Sequence, residues 1–338
     1  MKSLIKKMEL MFITCLSVWL IYMPGGIGES PVGFTISDCY VDEILFVGGT
    51  GFGNYSSIKS AIENASDGDT VFVYGGMYQL FDTLNINKSI QLKGERADTT
   101  LIQPGESGTN QLILIQAEKV MIKQFTFSNI VIKNNANNVT ITDNLFIIDV
   151  FKGYWTNSVI SSQASYLTVK ENIISLINLT DFEKPSPRCG MDLGFHSFAL
   201  NNTISGASTA LDIGDKGGDI LVLGNTFSQN SIGLFVSDQF PNARITNTIT
   251  RNNFMNNDIQ ALFSIRVESI KDFFTGLFSV DGFPSQNWDG NYWTDHIAQT
   301  PRKIPGKLHV ILGDFIVNDL DVYIQWFNVD EHPLEEPV

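Results

Sequence analysis

Five short segments repeat one pattern, in which alternating apolar residues lead to an Asn and another apolar residue follows two places later. The segments are VTITDNLF (139–146), LTVKENII (167–174), SFALNNTI (197–204), ILVLGNTF (220–227) and NTITRNNF (247–254). Their Asn residues are Asn144, Asn172, Asn202, Asn225 and Asn252, at intervals of 28, 30, 23 and 27 positions. VMIKQFTF (120–127) is a similar segment with Phe125 in the Asn position. The chain is therefore built from one recurring unit.

The recurring unit is a strand, because each segment is short, rich in β-branched residues and alternates with a period of two. The varying intervals exclude a helical solenoid of fixed unit length. They favour an all-β parallel β-helix in one domain, in which each coil stacks on the previous one. A single coil cannot bury its inner face, so stability comes from neighbouring coils. The residues expected in the inward apolar columns are Ile141, Ile173, Ile204, Phe227 and Phe254.

The repeated Asn residues have two interpretations. Asn tolerates left-handed backbone at tight corners, and stacked inward Asn side chains can hydrogen-bond the coils above and below. A row of polar ligands for sugar is the alternative. The recurrence at one place in the coil favours the corner and ladder role.

Both ends of such a stack need caps, since bare ends expose strand edges and core. SSIKSAIENAS (56–66) places Ile58, Ala61, Ile62 and Ala65 on one helical face. Ser56 or Ser57 can form the N-cap and Gly68 can end the helix. A strand, DTVFVYGGMY (69–78), is expected to follow. This segment is predicted to be a short N-terminal capping helix.

The order of several motifs resembles that of NosD-like right-handed parallel β-helix proteins, which have a pectin-lyase-like fold. The motifs are YSSIKSAIENASDGDTVFVYGGMY (55–78), LNINKSIQLKGE (84–95), GFPSQNWDGNYWTDH (282–296) and NVDEHPLEEP (328–337). The resemblance implies a right-handed β-helix and an exported location, and it implies no catalysis. In the family, the Trp-containing stretch is followed by a short Asp/Gly-rich loop that ends in Thr-Pro. This chain keeps only Thr300-Pro301 of that loop. Residues 302–327 replace or extend that loop, which argues against an inherited calcium loop.

The chain divides into four predicted parts. Residues 1–28 read as a signal peptide, with an uncleaved anchor as the alternative, and residues 29–44 as a lead-in. The β-helix is expected over 45–280, followed by a C-terminal cap and tail over 281–338. No later segment is expected to span a membrane. A formal net charge of −14 argues against nucleic acid as a partner.

The aromatic stretch GFPSQNWDGNYWTDH is predicted to plug the C-terminal end of the stack. Trp288, Tyr292 and Trp293 can bury large areas there, and their N–H and O–H groups can satisfy stray backbone. The alternative is that the same three aromatic residues bind ligand by stacking on sugar rings.

One group of acids is the candidate for chemistry. Asp192, Asp212 and Asp215, with Arg188 and Lys216 nearby, are the catalytic candidates for a polysaccharide lyase or hydrolase. Asp212, Asp215 and Asp219 are the calcium candidates. Solvated turn positions beside Gly are the favoured interpretation of these residues. Neither a paired-Asp signature nor a Met or His cluster for copper occurs in the sequence.

Covalent modification is expected at two kinds of residue. Cys39 and Cys189 form one disulfide or remain two thiols. Glycosylation sequons begin at Asn54, Asn64, Asn87, Asn138, Asn178 and Asn201.

The sequence favours an exported, non-enzymatic protein, either secreted or at the cell surface or periplasm. Its expected roles are adhesion, glycan binding or structural support. Polysaccharide and cell-envelope components are the expected partners. No cofactor is expected, with calcium as the alternative. The oligomeric state stays open. The alternatives are a polysaccharide lyase or glycoside hydrolase, and a periplasmic copper-site maturation factor of the NosD type.

Overall fold

Successive coils of the chain stack so that their strands form three parallel β-sheets around an apolar interior. The computed structural model describes residues 42–105, 112–149, 157–177, 189–214, 218–240, 246–267, 269–278, 286–296, 300–311 and 321–338. Residues 42–338 form one compact unit. The predicted signal segment and most of the lead-in lie outside the described residues. The all-β right-handed parallel β-helix is confirmed.

Each coil passes through sheet 3, sheet 2 and sheet 1 in that order. Sheet 1 contains β3 (Gly76–Leu80), β6 (Thr100–Pro104), β9 (Thr126–Ser128), β12 (Leu145–Asp149), β15 (Ile173–Ile177), β18 (Thr203–Ser205), β21 (Thr226–Ser228), β24 (Asn253–Met255) and β27 (Tyr292–Trp293). Sheet 2 contains β1 (Ile44–Val47), β2 (Thr70–Val73), β5 (Gln91–Gly94), β8 (Met121–Lys123), β11 (Thr140–Thr142), β14 (Thr168–Lys170), β17 (Phe198–Leu200), β20 (Leu221–Leu223), β23 (Thr248–Thr250) and β26 (Asn287–Asp289).

Sheet 3 contains β4 (Leu84–Ile86), β7 (Leu112–Ile115), β10 (Val131–Asn134), β13 (Ser158–Ser162), β16 (Cys189–Asp192), β19 (Thr209–Ile213), β22 (Ile232–Phe240), β25 (Ile259–Val267) and β28 (Arg302–Ile311). The last strand, β29 (Asp321–Asp330), forms an antiparallel hairpin with β28. β29 also meets β26 at Asp330, so the hairpin closes the stack by joining sheets 2 and 3.

The interior consists of apolar columns in which equivalent residues of successive coils are direct register partners. In sheet 1 the column is Ile102, Phe127, Phe146, Ile174, Ile204, Phe227, Phe254 and Trp293. The prediction of Ile173 as an inward residue is wrong. Ile173 is 51% exposed, and Ile174 points inward. The buried Asn172 takes the inward corner position, so the strand alternation places the next inward side chain at Ile174.

The corner between sheets 2 and 1 has a left-handed residue in seven successive coils. These residues are Gln124, Asp143, Glu171, Asn201, Gly224, Arg251 and Gly290, with φ between 52° and 68°. The residue that follows each of them is buried, and it is Phe125, Asn144, Asn172, Asn202, Asn225, Asn252 or Asn291. Left-handed backbone costs a non-glycine residue about 1–2 kcal/mol. The corner geometry therefore depends on compensating contacts inside the stack.

Those contacts form an Asn ladder, which confirms that the five repeated Asn residues are equivalent. Their predicted left-handed backbone is wrong, because the left-handed residue is the one before each ladder Asn. The Oδ1 atom of Asn172 accepts from the backbone N of Asn144 at 3.0 Å and from its Nδ2 at 3.0 Å. The same pair of bonds links Asn172 to Asn202, Asn202 to Asn225, Asn225 to Asn252 and Asn252 to Asn291, at 2.9–3.1 Å. Phe125 begins the ladder by donating its backbone N–H to Asn144 Oδ1.

Asp330 ends the ladder at the C-terminal side. Its Oδ2 atom accepts from the backbone N and the Nδ2 of Asn291, both at 3.1 Å, and from Trp293 Nε1 at 3.0 Å. The side chain is fully buried. A carboxylate suits this position because it accepts hydrogen bonds and has no N–H left to satisfy.

The N-terminal cap is helix α1 (Ile58–Asn64). Ser57 is the N-cap and accepts from Ser60 N, while Ile58, Ala61 and Ile62 are buried. The chain leaves the helix at Ala65, so Gly68 does not end it and lies in the turn before β2. Lys88 Nζ donates to the carbonyls of Ile62, Glu63 and Ala65, which neutralises the C-terminal end of α1.

A second helix, α2 (Ile270–Phe278), packs against β25 and β28. In the part of the chain that is described, neither helix is long and apolar enough to cross a membrane.

Removing one ladder side chain is expected to destabilise the whole stack. Asn202→Ala leaves the backbone N–H of Asn172 without its acceptor, and each such buried group costs about 1–3 kcal/mol. Urea unfolding measures the loss. Asn201→Gly is the matched control, because Asn201 is exposed and glycine adopts its φ of 54° freely. Equal free energies of unfolding for the two variants would contradict the ladder's role.

Trp293→Ala is expected to lower the free energy of unfolding by about 3–5 kcal/mol, as for other buried aromatic truncations. Trp293 is fully buried, stacks on Phe254 with ring centroids 4.3 Å apart, and lies 4.7 Å from the Arg302 guanidinium. Trp326→Ala removes the same side chain where it is 37% exposed, and a much smaller loss is expected there. A Trp293 variant as stable as the parent protein in urea would show that the ring is not a plug.

Candidate functional site

The corner between sheets 3 and 2 stacks a second row of left-handed residues. Its members are Lys119, Asn138, Tyr166, His196 and Asp219, with φ between 53° and 60°. Backbone hydrogen bonds connect this corner between coils, from Tyr166 N to Phe195 O at 3.1 Å and from His196 N to Gly218 O at 2.8 Å. Because the residue after each corner position points inward, the corner side chains project outward.

Three of these side chains interact directly. The Tyr166 and His196 rings stack with centroids 5.1 Å apart and an interplanar angle of 13°. His196 Nδ1 lies 2.9 Å from Asp219 Oδ2. At this distance Asp219 Oδ2 can accept a hydrogen bond from His196 Nδ1. The result is an ordered aromatic, imidazole and carboxylate row that spans three coils.

A cleft of about 500 Å³ opens beside this row. Phe198, Leu221 and Thr248 form part of its lining and are register neighbours on the outward face of sheet 2. Tyr166 is 48% exposed and Phe198 is 37% exposed. The cleft thus combines apolar ring faces with hydrogen-bonding groups on one edge, an arrangement typical of small-molecule and sugar sites.

The predicted acid cluster is only partly brought together. Asp192 on β16 and Asp212 on β19 are direct register partners on adjacent coils. Arg188, Asp215 and Lys216 lie outside the described residues. Asp219 lies at the corner, where it bonds His196. In the described ranges, no three His, Cys, Asp or Glu side chains form a group that could hold a metal ion.

Cys189 is a buried free thiol that donates to Met191 O at 2.9 Å. Burial raises the pKa of this thiol, and the carboxylates of Asp212 and Asp192 raise it further. Its predicted disulfide partner, Cys39, lies outside the described residues.

The aromatic ligand candidates lie in the C-terminal plug. Trp288 is 3% exposed and Trp293 is fully buried, so neither ring offers a face for stacking on sugar. Tyr292 is half-buried on β27. Hydrogen bonding to Asp330 and stacking on Phe254 explain why the Trp293 ring packs inward.

The sequon residues differ in their accessibility. Asn64, Asn87, Asn138 and Asn201 are exposed, and Asn54 is half-buried with its amide donating to Gly48 O. Asn178 lies outside the described residues. Glycosylation at any of these residues stays a prediction.

Comparison with known proteins places the chain in a family. The family described as periplasmic copper-binding protein (NosD) matches residues 62–297, which is more than half of the chain. The chain belongs to the NosD family. No curated protein matches its sequence.

The family's description names copper, but the described residues of this NosD-family chain provide no set of ligands that fits a copper ion. His196 bonds Asp219, His332 Nδ1 lies 2.7 Å from Asp289 Oδ1, and His296 Nε2 lies 2.8 Å from Thr300 O. Copper sites require several soft or imidazole ligands converging on one point. The described side chains provide no such convergence.

Three solved structures are similar to this NosD-family chain at low identity. The catalytic domain of a GH87 α-1,3-glucanase in complex with nigerose has 11% identity and a TM-score of 0.39, over 86% of this chain and 57% of that domain. The A-module of a mannuronan C-5 epimerase from Azotobacter vinelandii has 14% identity and a TM-score of 0.42, over 70% and 82%. A PL6 alginate lyase has 11% identity and a TM-score of 0.34, over 75% and 43%.

Sequence reasoning missed Tyr166, His196 and Phe198 as site residues, although a signal was present. Asn138, Tyr166, His196 and Asp219 follow one another at 28, 30 and 23 positions, the same intervals as the corresponding ladder Asn residues. Corner residues at the ladder's intervals occupy equivalent places in successive coils. Their side chains therefore meet on the surface.

The buried thiol generates a prediction about reactivity. Because thiolate is the reactive form and the pKa of Cys189 is raised, iodoacetamide at pH 8 should alkylate it far more slowly in the folded protein than in urea. The measurement is the mass of the peptide containing Cys189 over time, without reductant. Rapid labelling of the folded protein would contradict the burial. Labelling in urea only after reduction would reveal a disulfide instead.

Proposed function

We propose that this NosD-family protein is an exported, non-catalytic carbohydrate-binding protein that holds a polysaccharide in the cleft beside Tyr166, His196 and Asp219. The observation that carries the proposal is the exposed stack of Tyr166 on His196 next to the outward Phe198. The family's description as periplasmic supports an exported location.

The chemistry of the cleft suits a sugar ring. A pyranose has an apolar C–H face, which packs on aromatic rings, and a hydroxyl edge, which needs donors and acceptors. Tyr166 and Phe198 supply the ring faces. Asp219 and His196 supply the hydrogen-bonding edge.

Rigidity strengthens the proposal, because binding to an ordered surface avoids the entropy cost of immobilising side chains. The His196 ring is held on one face by Tyr166 and at Nδ1 by Asp219. Coil-to-coil hydrogen bonds of the corner backbone hold both rings on the solenoid. The site is therefore organised before a ligand arrives.

A polysaccharide lyase or glycoside hydrolase is the second candidate. The register pairing of Asp192 with Asp212 favours it, since glycosidases work with two neighbouring carboxyl groups. Release of reducing ends from a bound polysaccharide, abolished by Asp212→Asn, would establish this alternative. Binding without any depolymerisation supports the non-catalytic role.

Tyr166→Gly is expected to weaken glycan binding about 3- to 10-fold, the range of one aromatic contact. Glycine at this corner keeps the backbone unstrained, because it adopts the φ of 60° found at Tyr166 freely. Binding is measured by glycan array and then by titration with the best ligand. Phe278→Ala, which removes a 78% exposed ring from α2, is the control and should bind like the parent. Equal binding by the Tyr166 variant, or no glycan bound by the parent, would refute the proposal.

A further inference from the structure

The outward face of sheet 2 has a charge opposite to that of the whole chain. One outward row contains Ile44, Thr70, Gln91, Met121, Thr140, Thr168, Phe198, Leu221 and Thr248, and the other contains Phe46, Phe72, Lys93, Lys123, Thr142, Lys170, Leu200, Leu223 and Thr250. Neither row has an Asp or Glu from β1 to β23, although the chain has a net charge of −14. We call the segment of this face from β5 to β14 the lysine face.

The lysines of this face are stacked. Lys93 and Lys123 are direct register partners on neighbouring coils, and Lys170 follows two coils later beyond Thr142. Like charges directly opposite each other destabilise a sheet, and neighbouring strands lie only about 4.8 Å apart. An anion that binds across the lysines reduces this repulsion between their ammonium groups.

The described residues offer Lys93 and Lys123 no ion pair. Among the residues that the structure describes, no carboxylate lies within 4.0 Å of either ammonium, and Lys93 Nζ instead lies 5.7 Å from the centre of the Phe72 ring. Lys170 lies 3.6 Å from Glu171, but both side chains are over 40% exposed, so the pair is weak. At the same corner, Asp143 accepts from Thr142 Oγ1 at 2.9 Å.

We infer that the lysine face binds the acidic groups of an anionic polysaccharide, whose chain runs along the stack into the cleft. This inference rests on the proposed function and names its ligand class. β14 carries Lys170 and directly follows the Tyr166 corner, and Phe198 lies on the next strand of sheet 2. One ligand lying along sheet 2 thus meets the ammonium groups first and the stacking rings next.

The same features favour a polysaccharide over nucleic acid. Nucleic acid places a phosphate on every nucleotide and needs many cations to offset its repulsion from an acidic protein. A polysaccharide with one carboxylate or sulfate per sugar or fewer needs few cations. Its sugar faces also match the uncharged side chains of Tyr166, Phe198 and Leu221, while its acidic groups bind the lysine face and stay away from Asp219 in the cleft.

The experiment compares polymers and lysine variants by affinity electrophoresis and titration. The probes are polygalacturonate, dextran sulfate, unsubstituted dextran and single-stranded poly(dT). The parent is expected to bind an anionic polysaccharide more tightly than dextran, with an affinity that falls as salt rises. The double variant Lys93→Gln/Lys123→Gln should bind about 3- to 10-fold more weakly, as expected for two exposed ionic contacts. Lys133→Gln, on β10 of sheet 3, should bind like the parent.

The outcomes separate the inference from the proposed function. Preference between polygalacturonate and dextran sulfate identifies carboxylate or sulfate as the recognised group. The inference is overturned if the double variant binds like the parent, if dextran binds as tightly, or if poly(dT) competes equally. In those cases the proposed function survives when Tyr166→Gly still weakens sugar binding. Absence of binding to every sugar polymer, including the glycan array, overturns both.

Discussion

Hydrogen bonds between stacked, buried Asn side chains are the interaction on which the rest of the structure depends. Each Oδ1 accepts the backbone N–H and the Nδ2 of the preceding coil, as Asn202 does for Asn172. Polar backbone at a corner is thereby satisfied inside an apolar interior, where an unpaired group is costly. The ladder also sets the register, because its amides meet only when equivalent residues of neighbouring coils are aligned.

A ladder of this kind needs a beginning and an end. Phe125 begins it, since its backbone donates to Asn144 while its ring joins the apolar interior. Asp330 ends it by accepting three hydrogen bonds on one oxygen, including that of Trp293. The aromatic stretch and the final hairpin thus cap the stack together. Trp293 covers the last residue of the apolar column, and Asp330 hydrogen-bonds the last amide of the ladder.

Packing in the uniform interior constrains the inward side chains and leaves the identity of the outward side chains unconstrained. Corner residues face solvent in a backbone conformation that the coils impose, so their side chains are not selected by packing. Tyr166, His196 and Asp219 occupy such positions and form an ordered row. The side chains of the lysine face lie on neighbouring strands, point outward and are likewise not selected by packing. The proposed binding site is therefore built from one side chain per coil, arranged along the coil axis.

The sequence by itself determined the parallel β-helix, its Asn ladder and the capping helix, because period-two alternation, recurring Asn and i, i+3, i+4 spacing are local signals. Tertiary structure alone decided which residues meet across coils. The 51% exposure of Ile173 beside buried Ile174, and the bond from Trp293 to Asp330, depend on where each corner turns and where the last strand returns. The cleft at Tyr166 has the same origin, since stacking brings together side chains that are 30 and 23 positions apart.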